Sequence, residues 1–259
     1  MALPKHEHAR TRRAFSQNFL TDPVAARRLV AAAQITPTDL VYEVGAGQGS
    51  LTTELSRKCR RLIAYEVDPA IAADLPRLPG LTVRVEDFLR AAPPAEPFGV
   101  VGNIPYALTA AVVDWCLRAQ TMTSATLLTQ LEYARKRTGD YGRWSRLTIS
   151  TWPEVSWELA GRVPRTAFRP VPGVDGGILR IVRRPVPLVQ RDALVAYRSF
   201  VELGFTGVGG TLQATLARRY GGRRVTAALR AARLAVGSPV GLVWPEQWLA
   251  LFRLLDAPR

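Results

Sequence analysis

Five short apolar runs recur through the first half of the chain, and each closes on a glycine or a polar side chain. They are "VYEVG" (41–45), "RLIAYEVD" (61–68), "LTVRVEDF" (81–88), "FGVVGN" (98–103) and "TSATLLTQL" (123–131). Segments of helical length separate them; Leu51 to Lys58 has helical character, and Pro69 suits a first helical turn. Near-continuous hydrophobic strands that alternate with helices predict an α/β fold: a Rossmann-like, doubly wound, mostly parallel sheet with right-handed crossovers. Two further strands are expected within "RLTISTWPEVSWELA" (146–160) and "GGILRIVRR" (176–184), joined by the Pro- and Gly-rich loop "VPRTAFRPVPGVDG". Beyond "RRPVPLV", Leu and Ala recur at helical spacing, which predicts a small all-helical domain of roughly three helices. The expected division is residues 1–184 and 185–259.

Open α/β sheets bind ligands beyond the carboxyl ends of their strands. The first run is followed by Gly45, Gly47 and Gly49, where missing side chains let backbone approach a ligand; taken alone, a glycine turn is only a tight strand–helix connection. Glu66 ends the second run at a spacing suited to a ribose diol, Asp87 ends the third, and Asn103 the fourth. Four successive strands thus deliver a glycine or polar group to one edge, which points to a nucleoside. The glycine spacing is G-x-G-x-G rather than the G-x-G-x-x-G of pyrophosphate binders, and the acidic Glu43 precedes it. A carboxylate repels phosphate but tolerates a cation. S-adenosyl-L-methionine, with a sulfonium, an ammonium and no phosphate, fits better than NAD.

Charge narrows the partner. Lys and Arg number 35 against 21 Asp and Glu, for a net charge of +14. The preference for Arg over Lys is compositional, but the excess of positive charge predicts a polyanion, and nucleic acid is the commonest. The two cysteines, Cys59 and Cys116, stand apart from any histidine cluster, so neither a disulfide nor a metal site is expected. No apolar stretch is long enough to span a membrane, and the charged N-terminus lacks a signal-peptide core, which predicts a cytoplasmic protein.

Six segments then fall in order: "FSQNFL" (15–20), "EVGAGQGSLT" (43–52), "YEVD" (65–68), "VEDFL" (85–89), "NIPY" (103–106) and "PRTAFRPVPGVDGGILRI" (164–181). Together they resemble the rRNA adenine N6-methyltransferases, closely over residues 10–184. The resemblance implies a class I methyltransferase fold that uses S-adenosyl-L-methionine. It implies that Gln17, Asn18 and Leu20 close over the methionine end, with Gly45 and Gly47 against it. Glu43 would orient the loop or the ammonium, Glu66 would hold the ribose, Val67 would pack on adenine and Asp87 would read the adenine amino group. Asn103-Ile104-Pro105-Tyr106 would be the catalytic loop. There Asn103 and the Ile104 carbonyl accept from the target amine, Pro105 locks the turn, and Tyr106 and Phe168 wall an extruded base. Tyr106 and Phe168 each have a plainer alternative as ordinary core or half-buried aromatics.

For RNA, "EYARKRTGDYGRWSR" (132–146) interleaves Arg135, Lys136, Arg137 and Arg143 with Tyr133, Tyr141 and Trp144. Arg165 and Arg169 flank Phe168. A basic N-terminal arm carries Arg10, Arg12 and Arg13. Within the family, Ser16 and Ile104 lean toward the 23S rRNA enzymes that confer resistance to macrolides, lincosamides and streptogramin B. Dimethylation of small-subunit 16S rRNA is the alternative, and a non-catalytic rRNA-binding assembly factor is an alternative of another class. The expected state is a monomer acting on 23S rRNA.

Overall fold

A computed structural model describes residues 18–207 and 210–256 of the 259-residue chain. In order, the first elements are β1 (Phe19–Leu20), α1 (Pro23–Ala32), β2 (Leu40–Val44), α2 (Ser50–Ser56), β3 (Arg61–Glu66), α3 (Pro69–Ala73), β4 (Leu81–Val85), β5 (Phe98–Asn103), α4 (Thr109–Arg118), β6 (Met122–Gln130) and α5 (Leu131–Thr138). Then follow α6 (Arg146–Thr151), β7 (Val155–Val163), β8 (Phe168–Arg169), β9 (Gly176–Arg183), α7 (Leu194–Phe205), α8 (Leu212–Tyr220), α9 (Gly222–Ala231) and α10 (Pro245–Leu255).

Seven strands form one sheet in the order β4-β3-β2-β5-β6-β9-β7, parallel from β4 to β6 and antiparallel between β6 and β9. All five expected runs are strands, and the doubly wound architecture is confirmed. The order reverses between β2 and β5, which are in register with Val44 opposite Gly102. That reversal opens the crevice of such sheets at the carboxyl ends of the two strands. Gly102 makes the close pairing possible: a Cβ there would lie 2.7 Å from the Val44 carbonyl oxygen.

Local signals set the helix starts. Asp22 accepts from Val24 N at 2.8 Å ahead of Pro23 in α1, and Asp68 accepts from Ala70 N at 2.9 Å ahead of Pro69 in α3. One expected strand is corrected. Residues 146–151 are helical, because Ser145 caps them by accepting from Thr148 N at 3.2 Å, and the strand begins only at Val155.

The chain divides into two compact units. The first comprises the described residues through Ala134 with Glu158–Val182, and the second Arg135–Trp157 with the described residues from Arg183 onward. The division expected after residue 184 therefore misses one excursion. Trp144 and Ile149 belong to the core of the second unit, alongside Tyr197, Phe200, Trp248 and Phe252. Past residue 188 the described residues of that unit form four α-helices, α7 to α10, rather than roughly three. The first unit is built around Leu29, Leu55, Leu62, Val101, Leu128 and Phe168. Among the described residues no helix is long and apolar enough to cross a membrane.

Candidate active site

A cleft of about 520 Å³, part of it open to solvent, lies in the first unit at the strand reversal. Its floor is the loop after β2. Gly45, Gly47 and Gly49 take φ of +69°, +53° and +80°, a left-handed region that favours glycine. Gly47 is also crowded, since a Cβ there would meet the Phe19 ring at 3.2 Å.

Two side chains pin this floor and its wall. Glu66 ends β3, lines the cleft and is almost wholly buried; its carboxylate accepts from Gly47 N at 2.9 Å and from Asp68 N at 3.1 Å. Asn103 ends β5, and its Nδ2 donates to the backbone carbonyl of Asn18 at 2.8 Å. The wall formed by Asn18, Phe19 and Leu20 is held further by Ser50 Oγ, which donates to Leu20 O at 2.9 Å, and by pairing of β1 with β8. Pro105 also lines the cleft.

Asn18, Leu20, Gly45, Gly47, Glu66, Asn103 and Pro105 all line this one cleft. Gln17 lies outside the described residues. Phe19, Gln48, Ser50 and Leu51 line the cleft too and were not singled out, although they sit inside the two quoted segments that flank the site. Val67 is exposed and Asp87 caps a short turn by accepting from Leu89 N at 3.0 Å; neither is in the cleft lining. Ile104 turns its side chain into the core, which leaves only its backbone to the site.

Two expectations, for Glu43 and Phe168, need correction. Glu43 does not face the cleft. It is fully buried beside Thr52 of α2, and neither carboxyl oxygen makes a hydrogen bond of normal geometry to a described residue. Burial pushes its pKa up to about 8, the neighbouring Thr52 hydroxyl pulls it down, and the charge of Glu66 adds to the rise. A protonated Glu43 is no counter-ion for an ammonium at neutral pH. Phe168 is not a cleft wall either: its side chain is fully buried in the core. The reason is local. Its ring fills the space above Gly176, where an added Cβ would lie 3.2 Å from Phe168 Cζ. Tyr106 opens a short turn beside the cleft without lining it. Its hydroxyl is buried without a hydrogen-bond partner among the described residues, and burial, then the charge of Asp175, raises the phenol above its ordinary pKa.

The basic residues fall on both units. Arg165 and Arg169 are exposed on the first; Arg165 N donates to Asp175 Oδ1 at 2.8 Å and Arg169 Nη1 to Phe168 O at 2.8 Å. On the second, Lys136 and Arg143 are exposed, Arg135 pairs with Asp140 and covers the Tyr141 ring at 4.3 Å, and Arg137 donates to Ser145 Oγ at 2.9 Å. Trp144, expected to offer a stacking face, is buried. Among the described residues no group of three or more His, Cys, Asp or Glu could hold a metal ion.

The profile of the ribosomal RNA adenine dimethylase family matches residues 8–257. The chain belongs to that family. An rRNA adenine N-6-methyltransferase of Streptomyces fradiae is 53% identical over 256 residues, covering 96% of this chain and 80% of its own. The enzyme of that name from Saccharopolyspora erythraea is 51% identical over 258 residues, covering 98% of this chain and 68% of its own. The crystal structure of the 23S rRNA methyltransferase ErmE superposes with a TM-score of 0.90 at 51% identity, covering 93% of this chain and all of that one. Membership makes this an rRNA adenine methyltransferase. In that light the cleft has the composition its chemistry needs: one carboxylate, an amide (Asn103) tethered through its donor, and a glycine-rich loop whose backbone is open to a ligand.

Proposed function

We propose that the chain transfers a methyl group from S-adenosyl-L-methionine to N6 of one unpaired adenine in 23S rRNA, in the cytoplasm, and so confers resistance to macrolides, lincosamides and streptogramin B. One observation carries the cofactor assignment. In a protein of net charge +14, none of the described residues lining the cleft is Lys or Arg, and its one charged side chain is the carboxylate Glu66. A phosphate-bearing ligand wants the reverse, whereas an adenosyl sulfonium suits this lining.

The fit is specific to named residues. Glu66, already oriented by Gly47 N and Asp68 N, would accept from ribose hydroxyls, and the glycine turn would leave room for backbone contact. Asn18, Phe19 and Leu20 would hold the methionine portion, with Gln17 beyond the described residues. Val67 and Asp87, at the ends of β3 and β4, would attend the adenine of the cofactor.

When bound, S-adenosyl-L-methionine supplies an electrophilic methyl; orientation falls to the chain. The exocyclic amine of adenine is a weak nucleophile because its lone pair is delocalised into the ring, so placement counts most. Asn103 commits its Nδ2 to Asn18 O, which turns Oδ1 to the other side of the amide as the acceptor. An amine donating to Oδ1 is steered, and positive charge developing on it is stabilised, without a strong base. The Ile104 carbonyl is a second acceptor, Pro105 fixes the turn, and Tyr106 offers a face to the base. Arg135, Lys136, Arg137, Arg143, Arg165 and Arg169 would meet phosphates.

The names and identities of the relatives support 23S rRNA as target over small-subunit RNA. Purified protein with naked 23S rRNA, against immature small subunits, tests this by methyl incorporation and mass spectrometry of the digested RNA. N6-methyladenine in 23S rRNA is the expected product. Methylation of small subunits alone would overturn the target, and no transfer to either would favour a non-catalytic assembly role.

A further inference from the structure

The second unit carries an exposed indole that methyl transfer does not use. Trp244 stands just ahead of α10 with 56% of its surface exposed. It is held from both sides. Its backbone N donates to Gln247 Oε1 at 3.0 Å, and Gln247 Nε2 donates to the carbonyls of Ala232 and Arg233 at 3.1 and 3.3 Å, which brings the exposed Arg233 to this turn. Trp144 N donates to Gly241 O at 2.7 Å, which brings the exposed Arg143 to it from the other chain segment. The buried Trp144 ring backs the indole with centroids 5.4 Å apart, and Trp152 backs Trp144 at 5.6 Å.

An indole braced by two others is a rigid, preformed surface. An exposed aromatic could also meet a second copy of the chain. Charge argues against that: Arg143 and Arg233 form no ion pair with a described residue, and two copies of a +14 chain repel. A partner with flat apolar faces and negative charge suits both features, and unpaired RNA has them.

We propose that Trp244, with Arg143 and Arg233, is a stacking platform for an unpaired base of the RNA substrate. The platform rests on the reading of the chain as an RNA methyltransferase. The full-length protein is titrated with labelled single-stranded oligoadenylate and with 23S rRNA transcript, and cofactor affinity is measured alongside by calorimetry. Trp244→Ala should weaken RNA binding about five- to tenfold, given what base–aromatic stacking contributes. Trp244→Phe should restore it to within about twofold, because a planar face returns. Trp244→Leu, which keeps apolar contact with Trp144 but offers no ring, should behave like Ala, and this pair decides the matter if Ala harms folding. Arg143→Gln and Arg233→Gln should each lower the salt slope of binding by about 0.7. Unchanged RNA affinity in Trp244→Leu, or a wild-type dimer that Trp244→Leu dissociates in sedimentation, would overturn the platform. Wild type that binds RNA through Trp244 but transfers no methyl would sink the catalytic reading and leave the platform standing.

Discussion

Asn103 Nδ2 donates to the backbone oxygen of Asn18 at 2.8 Å, tying the end of β5 to a segment 85 residues earlier in the chain. The tether does two things at once. It closes the cleft wall over the glycine loop, and it settles which way the amide faces, since a carbonyl acceptor at Asn18 demands the NH2 group.

Asn103→Asp therefore tests orientation apart from size. A carboxylate keeps an acceptor but has no proton for Asn18 O, and two oxygens then face each other. Single-turnover methylation should fall about 100-fold or more, by analogy with removing one positioned polar group from an active site. Asn103→Ala should fall at least as far. A wild-type rate in Asn103→Asp would remove the tether from the mechanism.

Glu66→Gln probes the loop pin. Both carboxylate oxygens accept backbone N–H groups, so an amide must turn one NH2 against a donor. Cofactor affinity by calorimetry should weaken about tenfold or more, the effect of about 1.4 kcal/mol from one mispaired buried group. RNA affinity should stay within about twofold, because the Glu66 side chain is almost wholly buried and offers no surface for RNA.

Glu43 makes stability depend on pH in a direction opposite to most carboxylates. Its folded pKa of about 8 lies above the ordinary carboxyl value of 4.5, so at intermediate pH the folded state holds a proton that the unfolded chain has lost. The stabilising form is fully present below the unfolded pKa, and its contribution is lost as pH rises toward 8. Glu43→Gln removes the titration. Relative to wild type it should gain stability between pH 5 and 8, by up to about 1.4 kcal/mol per unit, with the difference shrinking in acid. Parallel pH profiles of denaturant unfolding for the two proteins would show that Glu43 is not protonated in the fold.

Gly102→Ala should be destabilising by about 1–3 kcal/mol, because the added methyl meets the Val44 backbone oxygen at 2.7 Å in a paired strand that cannot yield. Gly99→Ala, three residues earlier on β5, meets only Ser124 at ordinary contact distance and should be near neutral. Thermal melts of the two variants check the contrast; equal loss in both would mean strand propensity, not the Val44 contact, governs.

Much of this was legible before any coordinates. The five strands announce themselves because buried parallel strands are apolar on both faces, and Asn103, Glu66 and the glycines follow because each stands at or just beyond the carboxyl end of such a strand. Helix 146–151 was missed because its Thr and Ile look strand-like, and only the Ser145 cap and the packing of Ile149 select the helix. Glu43 was misplaced because spacing along a strand fixes alternation between faces but not which face meets the ligand.

The sequence by itself determined the layered fold, the ordered strand-end residues and the family, since periodicity and local motifs are properties of neighbours in the chain. Only the tertiary structure decided that Phe168 fills the space above Gly176, that residues 135–157 leave the first unit, and that Trp244 rather than Trp144 is the exposed indole. Those outcomes depend on which distant side chains compete for the same buried volume, and close packing resolves that competition only when the whole core is assembled.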